Sequence, residues 1–411
     1  MAEKFKAPRG TFDVLPEQAA QRERLLLAVR EIFGLAGYRH IATPIFEDTA
    51  LFERGVGKST DIVRKEMFTF EDKGGRSLTL RPEGTASICR AYVEHGMHRL
   101  PQPVKLSYVG PFFRHERPQA GRYRQFHQIG AEAIGSDSPL VDVEVITLIN
   151  DLIEELGVPG VELRIGSLGS LDARATYLEE LKSHLRSRED ELSEDVRQRI
   201  EINPLRAFDA DHEGTKAVMA EAPHLLDFLS EEDAEHFEQV KSYLGAASVE
   251  FTIDPTLVRG LDYYTRTIFS FVCDRLGAQS EIGGGGRYDG LIEQLGGPPT
   301  PAVGWAAGIE RILLALDEDV TSPGMDLFVA IADPELTTKA VAIVSELRHH
   351  GLAVEMDLAG RSMKGQFKQA DRVGAAHTLI LEPGGSASLR NMETGDQQTV
   401  DPKDVVGLIR S

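Results

Sequence analysis

The 411-residue chain predicts an α+β body with a mainly antiparallel sheet flanked by helices, interrupted by a helical insertion and followed by a C-terminal α/β domain. Three observations carry that prediction. Several β-branched, apolar runs are joined by hairpin-length connections, which suit antiparallel strands but not parallel ones. Between Leu171 and Gly245 strand signals all but vanish, and helix formers with charge pairs four residues apart take over. Beyond residue 326, strand and helix patterns alternate as they do in an α/β unit.

Leu25, Val29, Ile32 and Ala36 recur at spacings of four, three and four, so residues 17–37 form a helix with one apolar face. The alternating run Tyr38 to Ile45 follows as a strand. Pro44 lacks an N–H, which confines that strand to an edge or end, at the margin of a subdomain or at an interface. Further strands are expected at 77–81, 104–109, 125–134, 251–257, 267–272 and 303–307, then a helix from Ile309 to Leu316. Thr321-Ser-Pro-Gly324 stops that helix and marks a linker. After it come strand 327–331, helix 334–349, strand 353–356, helix 363–373 and strand 378–381. Residues 1–170 and 249–320 are thus expected as two parts of one body, 171–248 as the insertion and 326–411 as the last domain. A chain of this length needs more than one core.

With 41% hydrophobic and 27% charged residues, the composition is that of a globular protein and excludes a fibrous or disordered chain. No stretch approaches the length of a bilayer span and no secretory leader opens the chain, so a cytoplasmic protein is expected. Cys89 and Cys273 stand far apart, outside any metal-ligand spacing, and read as buried thiols. The net charge of -20 argues against a nucleic-acid partner only until it is mapped. Residues 171–248 hold 19 acidic and 9 basic residues, about half of the excess, and the remainder is closer to balance.

Chemistry concentrates between Gly110 and Gly135, where Arg114, Arg117, Arg122 and Arg124 surround a Pro-Gln-Ala-Gly turn between two strand-like runs. A guanidinium is a rigid fork matched to phosphate or carboxylate. On composition alone, a phosphate-binding hairpin and a solvated, salt-bridged hairpin stay equally open. The order Phe113-Arg-His-Glu116 followed by Arg122-Tyr-Arg-Gln-Phe-His-Gln128 resembles motif 2 of class II aminoacyl-tRNA synthetases, in the form found in histidyl-tRNA synthetases. Arg259-Gly-Leu-Asp-Tyr-Tyr-Thr265 resembles the histidine-specific motif of that family. Gly304-Trp-Ala-Ala-Gly-Ile-Glu-Arg311 resembles motif 3, and the helix and strand ending at Pro44 stand where motif 1 forms a dimer interface. The likeness runs from Arg9-Gly-Thr-Phe-Asp13 to the C-terminal domain and is least specific over the insertion.

The resemblance implies a class II synthetase fold, ATP as substrate and roles for particular residues. Arg114 would hold the α-phosphate, with Arg122 near the phosphates, Arg311 at the γ-phosphate, and Glu116 and Phe126 receiving adenine. Arg259 would bridge the histidine carboxylate and the α-phosphate, where negative charge accumulates; with Arg114 it is the expected catalytic residue. Glu132 and Tyr264 would contact the imidazole in a pocket shared with Tyr263 and Tyr288. Glu83, Thr85 and Gln128 would accept from the α-ammonium. Taken alone, Glu83 reads as a helix-start residue after Pro82. The run Gly283 to Gly286 lacks the Gly-Lys-Ser/Thr of a phosphate loop; in the family it is a strand whose missing side chains let substrates approach.

Arg361, Lys364, Lys368 and Arg372 follow at intervals of three, four and four, a basic stripe on one helical face suited to RNA, though a solvated face remains an alternative. The domain at 326–411 resembles the anticodon-binding domain of several class II synthetases, and Arg117 and Gln119 resemble residues that inspect the acceptor end of histidine tRNA. The insertion is expected to clamp the acceptor arm, which its charge opposes. Histidine, its tRNA and a second copy of the chain are the implied partners. Magnesium is the implied metal, held mostly by phosphates and by one or two carboxylates that the sequence does not single out. The competing reading is a non-catalytic histidine-sensing paralogue. Such relatives typically lack the anticodon domain and parts of the histidine motif, and this chain has both.

Overall fold

The computed structural model describes residues 4–57, 60–277, 280–316, 324–383 and 386–410, so Thr321 to Pro323 of the expected linker lie outside the described residues. The chain forms two compact units, 1–320 and 321–411.

An eight-stranded sheet organises the first unit. Its order is Arg39–His40, Val104–Phe113, Gln125–Ile134, Ala302–Gly308, Glu281–Arg287, Thr265–Cys273, Val161–Ser167 and Thr252–Ile253. The two-residue strands at its margins pair parallel with their neighbours, and every other pairing is antiparallel. A three-stranded antiparallel sheet, Phe46–Asp48, Ser77–Leu80 and Phe68–Glu71, stands beside it. The mainly antiparallel sheet is therefore present, but two expected strands shrink. Only Arg39–His40 survives of 38–45, and Thr252–Ile253 of 251–257, where Asp254 caps the next turn by accepting from Thr256 N at 2.9 Å. Pro44 and Pro255 supply no N–H to a ladder, which is why neither run continues.

Alternation along the Gln125–Ile134 strand divides the body into two layers. Ile129, Ala131 and Ala133 face a core shared with the helices Pro16–Leu35, Pro139–Leu156 and Ile309–Leu316. The opening helix contributes Leu25, Val29 and Phe33, with Ile32 and Ala36 partly buried against the same core. Phe126 and Ile134 face the other layer, where Tyr108 and Phe112 from the neighbouring strand pack with the helix Thr85–Glu94. By the two-residue period, Gln128, Gly130 and Glu132 share that second face.

The stretch 171–248 is helical, as its charge-paired pattern predicts, yet it is not a separate body. Tyr177, Leu181 and Leu185 join the second core with Tyr263 and Tyr264, whereas Phe237, Val240 and Leu244 of the helix Glu231–Ala246 join the first. Arg174 Nη2 donates to the Tyr264 carbonyl at 2.6 Å, so the insertion touches the histidine-type motif directly.

Both cysteines are buried thiols. Behind the sheet lies a fully buried ion pair: Arg287 Nη2 donates to Asp142 Oδ2 at 2.5 Å, and its Nε lies 2.9 and 3.0 Å from the two oxygens. Removing one member of such a pair strands the other charge out of water. Asp142→Ala is therefore expected to destabilise the unit by about 3–5 kcal/mol, read as a lowered midpoint in urea unfolding; an unchanged midpoint would contradict the account.

The second unit carries a five-stranded sheet, ordered Val354–Met356, Leu327–Ile331, His377–Leu381, Ala387–Asn391 and Gln397–Val400. The first three strands are parallel, as the alternating pattern predicts, and the last two add an antiparallel edge. Apolar side chains cover both faces: Leu327 and Val329 pack with the helix Thr337–His349, and Phe328 and Ala330 with Met363–Arg372. That second helix corrects one expectation. Arg361 precedes it and is tied to Asp357 through Nη1 at 2.7 Å, so the helical basic stripe is Lys364, Lys368 and Arg372, all exposed. Among the described residues no helix is long and apolar enough to cross a membrane.

Candidate active site

Period-two placement of Phe126 and Gln128, together with Arg114 at the end of the adjacent strand, brings motif residues to one cavity of about 670 Å³. All the residues expected to hold amino acid or nucleotide line it, except Glu132 and Tyr288, which are buried behind Thr85. Arg114, Arg259 and Arg311 border the same space although they come from a strand end, a loop and a helix.

Glu132 is completely buried; its Oε1 accepts from Thr85 Oγ1 at 2.8 Å and its Oε2 from Tyr288 OH at 2.5 Å. Burial away from water pushes its pKa up to about 8, against the pull of those two hydroxyls. Glu83 is indeed a helix-start residue, since its carboxylate accepts from the backbone N–H of Thr85 at 2.7 Å and of Ala86 at 2.9 Å. It borders the cavity at the same time, so capping and ligand contact need not exclude each other. Gln128 Oε1 is buried and has no hydrogen-bond partner, and the residue lines the same cavity. The rings of Tyr263 and Tyr264 lie 4.7 Å apart, and Tyr288 stands 5.7 Å from Tyr263, forming an aromatic floor.

At the hairpin end, Arg114 Nε donates to the Pro82 carbonyl at 2.9 Å and its guanidinium lies 5.3 Å over the Phe126 ring. Arg122 Nε pairs with Glu116 at 2.8 Å, and Arg114 Nη1 lies 3.8 Å from the same carboxylate. Arg117 and Gln119 are exposed at the tip, where Gln119 and Arg122 exchange backbone hydrogen bonds. Arg311 is buried enough that its pKa is lowered by desolvation, with Arg122 and Arg114 adding repulsion. Three cations held near one another at a cavity wall favour an anion there.

The glycine run needs a correction. A Cβ on Gly285 would stand 2.0 Å from the Gly304 carbonyl oxygen and one on Gly286 2.5 Å from that of Thr267, so these two glycines serve strand packing. Only Gly283 and Gly284 border the cavity. The motifs also leave out Tyr108 and Glu281. Tyr108 OH is buried beside the cavity with no partner, and its ring fills the space where side chains on Gly84 and Gly130 would stand. Glu281 holds Arg259. In the sequence, strand alternation placing Tyr108 with Phe112 was the available signal for the first; nothing pointed to the second.

The histidyl-tRNA synthetase family model matches residues 10–312, and the anticodon binding domain model residues 326–411. The chain is similar to the histidine–tRNA ligase of Halothermothrix orenii, 47% identical over 400 residues covering 95% of this chain and 96% of that one. It is likewise similar to that of Rhodococcus jostii, 48% identical over 420 residues covering 99% and 98%. Among solved structures, the apo histidyl-tRNA synthetase of S. aureus matches with a TM-score of 0.83 at 38% identity, covering 99% of this chain and all of the other. With its motifs gathered in one cavity and most of its length matched, the chain belongs to the histidyl-tRNA synthetase family.

Proposed function

We propose that the chain is a histidine–tRNA ligase, and the observation that carries this reading is the convergence of Arg114, Arg259 and Arg311 on a cavity adjoining buried Glu132. The histidine carboxylate attacks the α-phosphorus of ATP, the bond to the β-phosphate breaks, and pyrophosphate leaves. A ribose hydroxyl at the 3′ end of the tRNA then attacks the adenylate carbonyl and AMP leaves. Little covalent chemistry falls to the protein; positioning and charge stabilisation carry the acceleration. Arg259 and Arg114 bracket the α-phosphate, Arg122 and Arg311 take the outer phosphates, and Phe126 and Glu116 receive the adenine. Glu83, Thr85 and Gln128 accept from the ammonium, while Glu132, Tyr263, Tyr264 and Tyr288 enclose the imidazole.

Magnesium would enter with ATP, held mostly by the phosphates, and would supply neutralising charge to them. Among the described residues no group of three or more acidic, histidine or cysteine side chains is placed to hold a metal ion by itself, which accords with an ion carried in by the nucleotide. A second copy of the chain is the proposed partner of the three-stranded sheet: Phe46 and Phe70 pack edge to face there while 50% and 43% exposed. A cytoplasmic location accords with these substrates.

Histidine-dependent exchange of pyrophosphate into ATP tests the reading, because a histidine-sensing subunit would bind the amino acid without exchange. The tRNA is proposed to contact Arg117 and Gln119 at the hairpin tip and the basic side chains of the second unit, Arg361 included. Reversing two charges, Lys364→Glu with Lys368→Glu, should lower kcat/KM for tRNA charging by about tenfold and flatten its salt dependence, with pyrophosphate exchange unchanged. Equal loss in both assays would place these lysines in folding rather than RNA binding.

A further inference from the structure

Two of the arginines that border the cavity are gripped by one residue, Glu281. This residue opens the Glu281–Arg287 strand, and the ladder shifts register between it and Gly283. A bulge of that kind re-aims side chains. The Glu281 carboxylate borders the cavity, where Oε1 accepts from Arg259 Nη1 and, at 3.0 Å, from Ser270 Oγ. Its backbone carbonyl accepts from Arg311 Nη1, and Arg311 Nε donates to the Gly121 carbonyl at 3.2 Å. Arg259 is thereby held from one side. Its Nε is buried with no hydrogen-bond partner, and its guanidinium lies 5.7 Å over the Tyr264 ring. A buried donor without an acceptor is costly until a ligand completes it.

We propose that Glu281 is a positioning residue for adenylate formation: its carboxylate fixes Arg259 through Nη1 in the orientation that meets the α-phosphate, and its carbonyl fixes Arg311. The inference rests on the ligase reading above. Glu281 acts through Arg259, as a carboxylate orients a catalytic imidazole through a hydrogen bond. A second effect opposes the first, because the carboxylate also offsets part of the positive charge that Arg259 presents. Orientation and neutralisation predict opposite outcomes on removing the side chain, so the measurement separates them.

Pyrophosphate exchange on the full-length chain compares wild type with Glu281→Ala and Glu281→Gln. A guanidinium displaced by about 1 Å is expected to cost about 100-fold in kcat, and Glu281→Ala should show that loss with KM for ATP and histidine within about threefold of wild type. Glu281→Gln keeps an oxygen that accepts from Nη1 and should recover kcat to within about tenfold of wild type. A kcat in Glu281→Ala equal to or above wild type overturns the proposal. So does a Glu281→Gln loss as large as that of Glu281→Ala, or a KM rise that accounts for the whole effect. Should Glu281→Ala fail to fold, Glu281→Asp, which withdraws the carboxylate by one methylene, replaces it with the same expected loss and the same overturning result. Wild type without any histidine-dependent exchange would instead overturn the ligase reading itself.

Discussion

Replacing Arg259 by alanine should lower the rate of histidine-dependent pyrophosphate exchange by about 10²- to 10³-fold, the loss expected when a donor aimed at developing charge is removed from a water-poor site. ATP affinity should fall less than about fivefold, since an interaction made chiefly in the transition state contributes little to ground-state binding. The split follows from geometry. Arg114 is fixed by the Pro82 carbonyl and Arg311 by the carbonyls of Gly121 and Glu281, so both remain at the cavity wall without Arg259. Burial works against charge on Arg259, yet Glu281 beside it raises its pKa above the ordinary arginine value, so a permanent cation is lost on substitution. Kinetics of exchange with ATP titrated at saturating histidine, together with equilibrium ATP binding, check the prediction. A parallel loss of rate and ATP affinity would reassign Arg259 to general phosphate binding.

The difference between Arg259 and Glu281 shows what a sequence discloses and what it hides. Arg259 sits in a contiguous, unusual heptapeptide, and the hairpin residues share strand alternation, so Phe126, Gln128 and Glu132 could be placed on one face before any coordinates. Glu281 meets Arg259 across 22 residues of chain through a bulged strand start, and no local pattern encodes a bulge's direction. The shortened strand after Tyr38 has a related cause. Thr43 lends its carbonyl to Arg81 Nη1 at 3.0 Å, so the backbone there serves a buried guanidinium just beyond the Ser77–Leu80 strand rather than a ladder. The helical nature of 171–248 was legible from composition, but its division between two cores was not. Tyr177 and Phe237 look alike as apolar helix positions, and only tertiary packing decides which sheet face each one covers. Arg361 matched the helical period and still lies outside the helix, because Asp357 holds both its N–H and its guanidinium ahead of the first turn.

Histidine selection should collapse on adding a single methyl group behind the pocket. In the sheet register Gly304 lies opposite Glu132, and a Cβ at Gly304 would stand 1.7 Å from Glu132 Oε2 and 2.7 Å from the Ala131 carbonyl oxygen. Backbone on one side and a fully buried carboxylate on the other leave only Glu132 able to move, and moving it breaks its bonds with Thr85 and Tyr288. Gly304→Ala is therefore expected to lower kcat/KM for histidine by about 10²-fold or more, the order set by leaving buried polar groups unpaired against a substrate N–H, with ATP binding retained. Glu132→Gln separates shape from charge. In the wild-type pocket the raised pKa keeps Glu132 protonated below pH 8, and accepting an imidazole N–H favours the ionised form, so histidine binding should release a proton. The sign for Glu132 is fixed: KM for histidine should fall as pH rises from about 7 to 8, above the titration of the free imidazole near 6.5, and rise again only where the substrate's α-ammonium loses its proton. Because Glu132 binds its proton more tightly in the folded chain than an unfolded glutamate does, its contribution to stability is lost as pH rises from its ordinary pKa up to about 8. Glu132→Gln should abolish the slope of KM between pH 7 and 8 while keeping the fold. A slope that survives in Glu132→Gln would mean that another group, or the substrate itself, carries the titration.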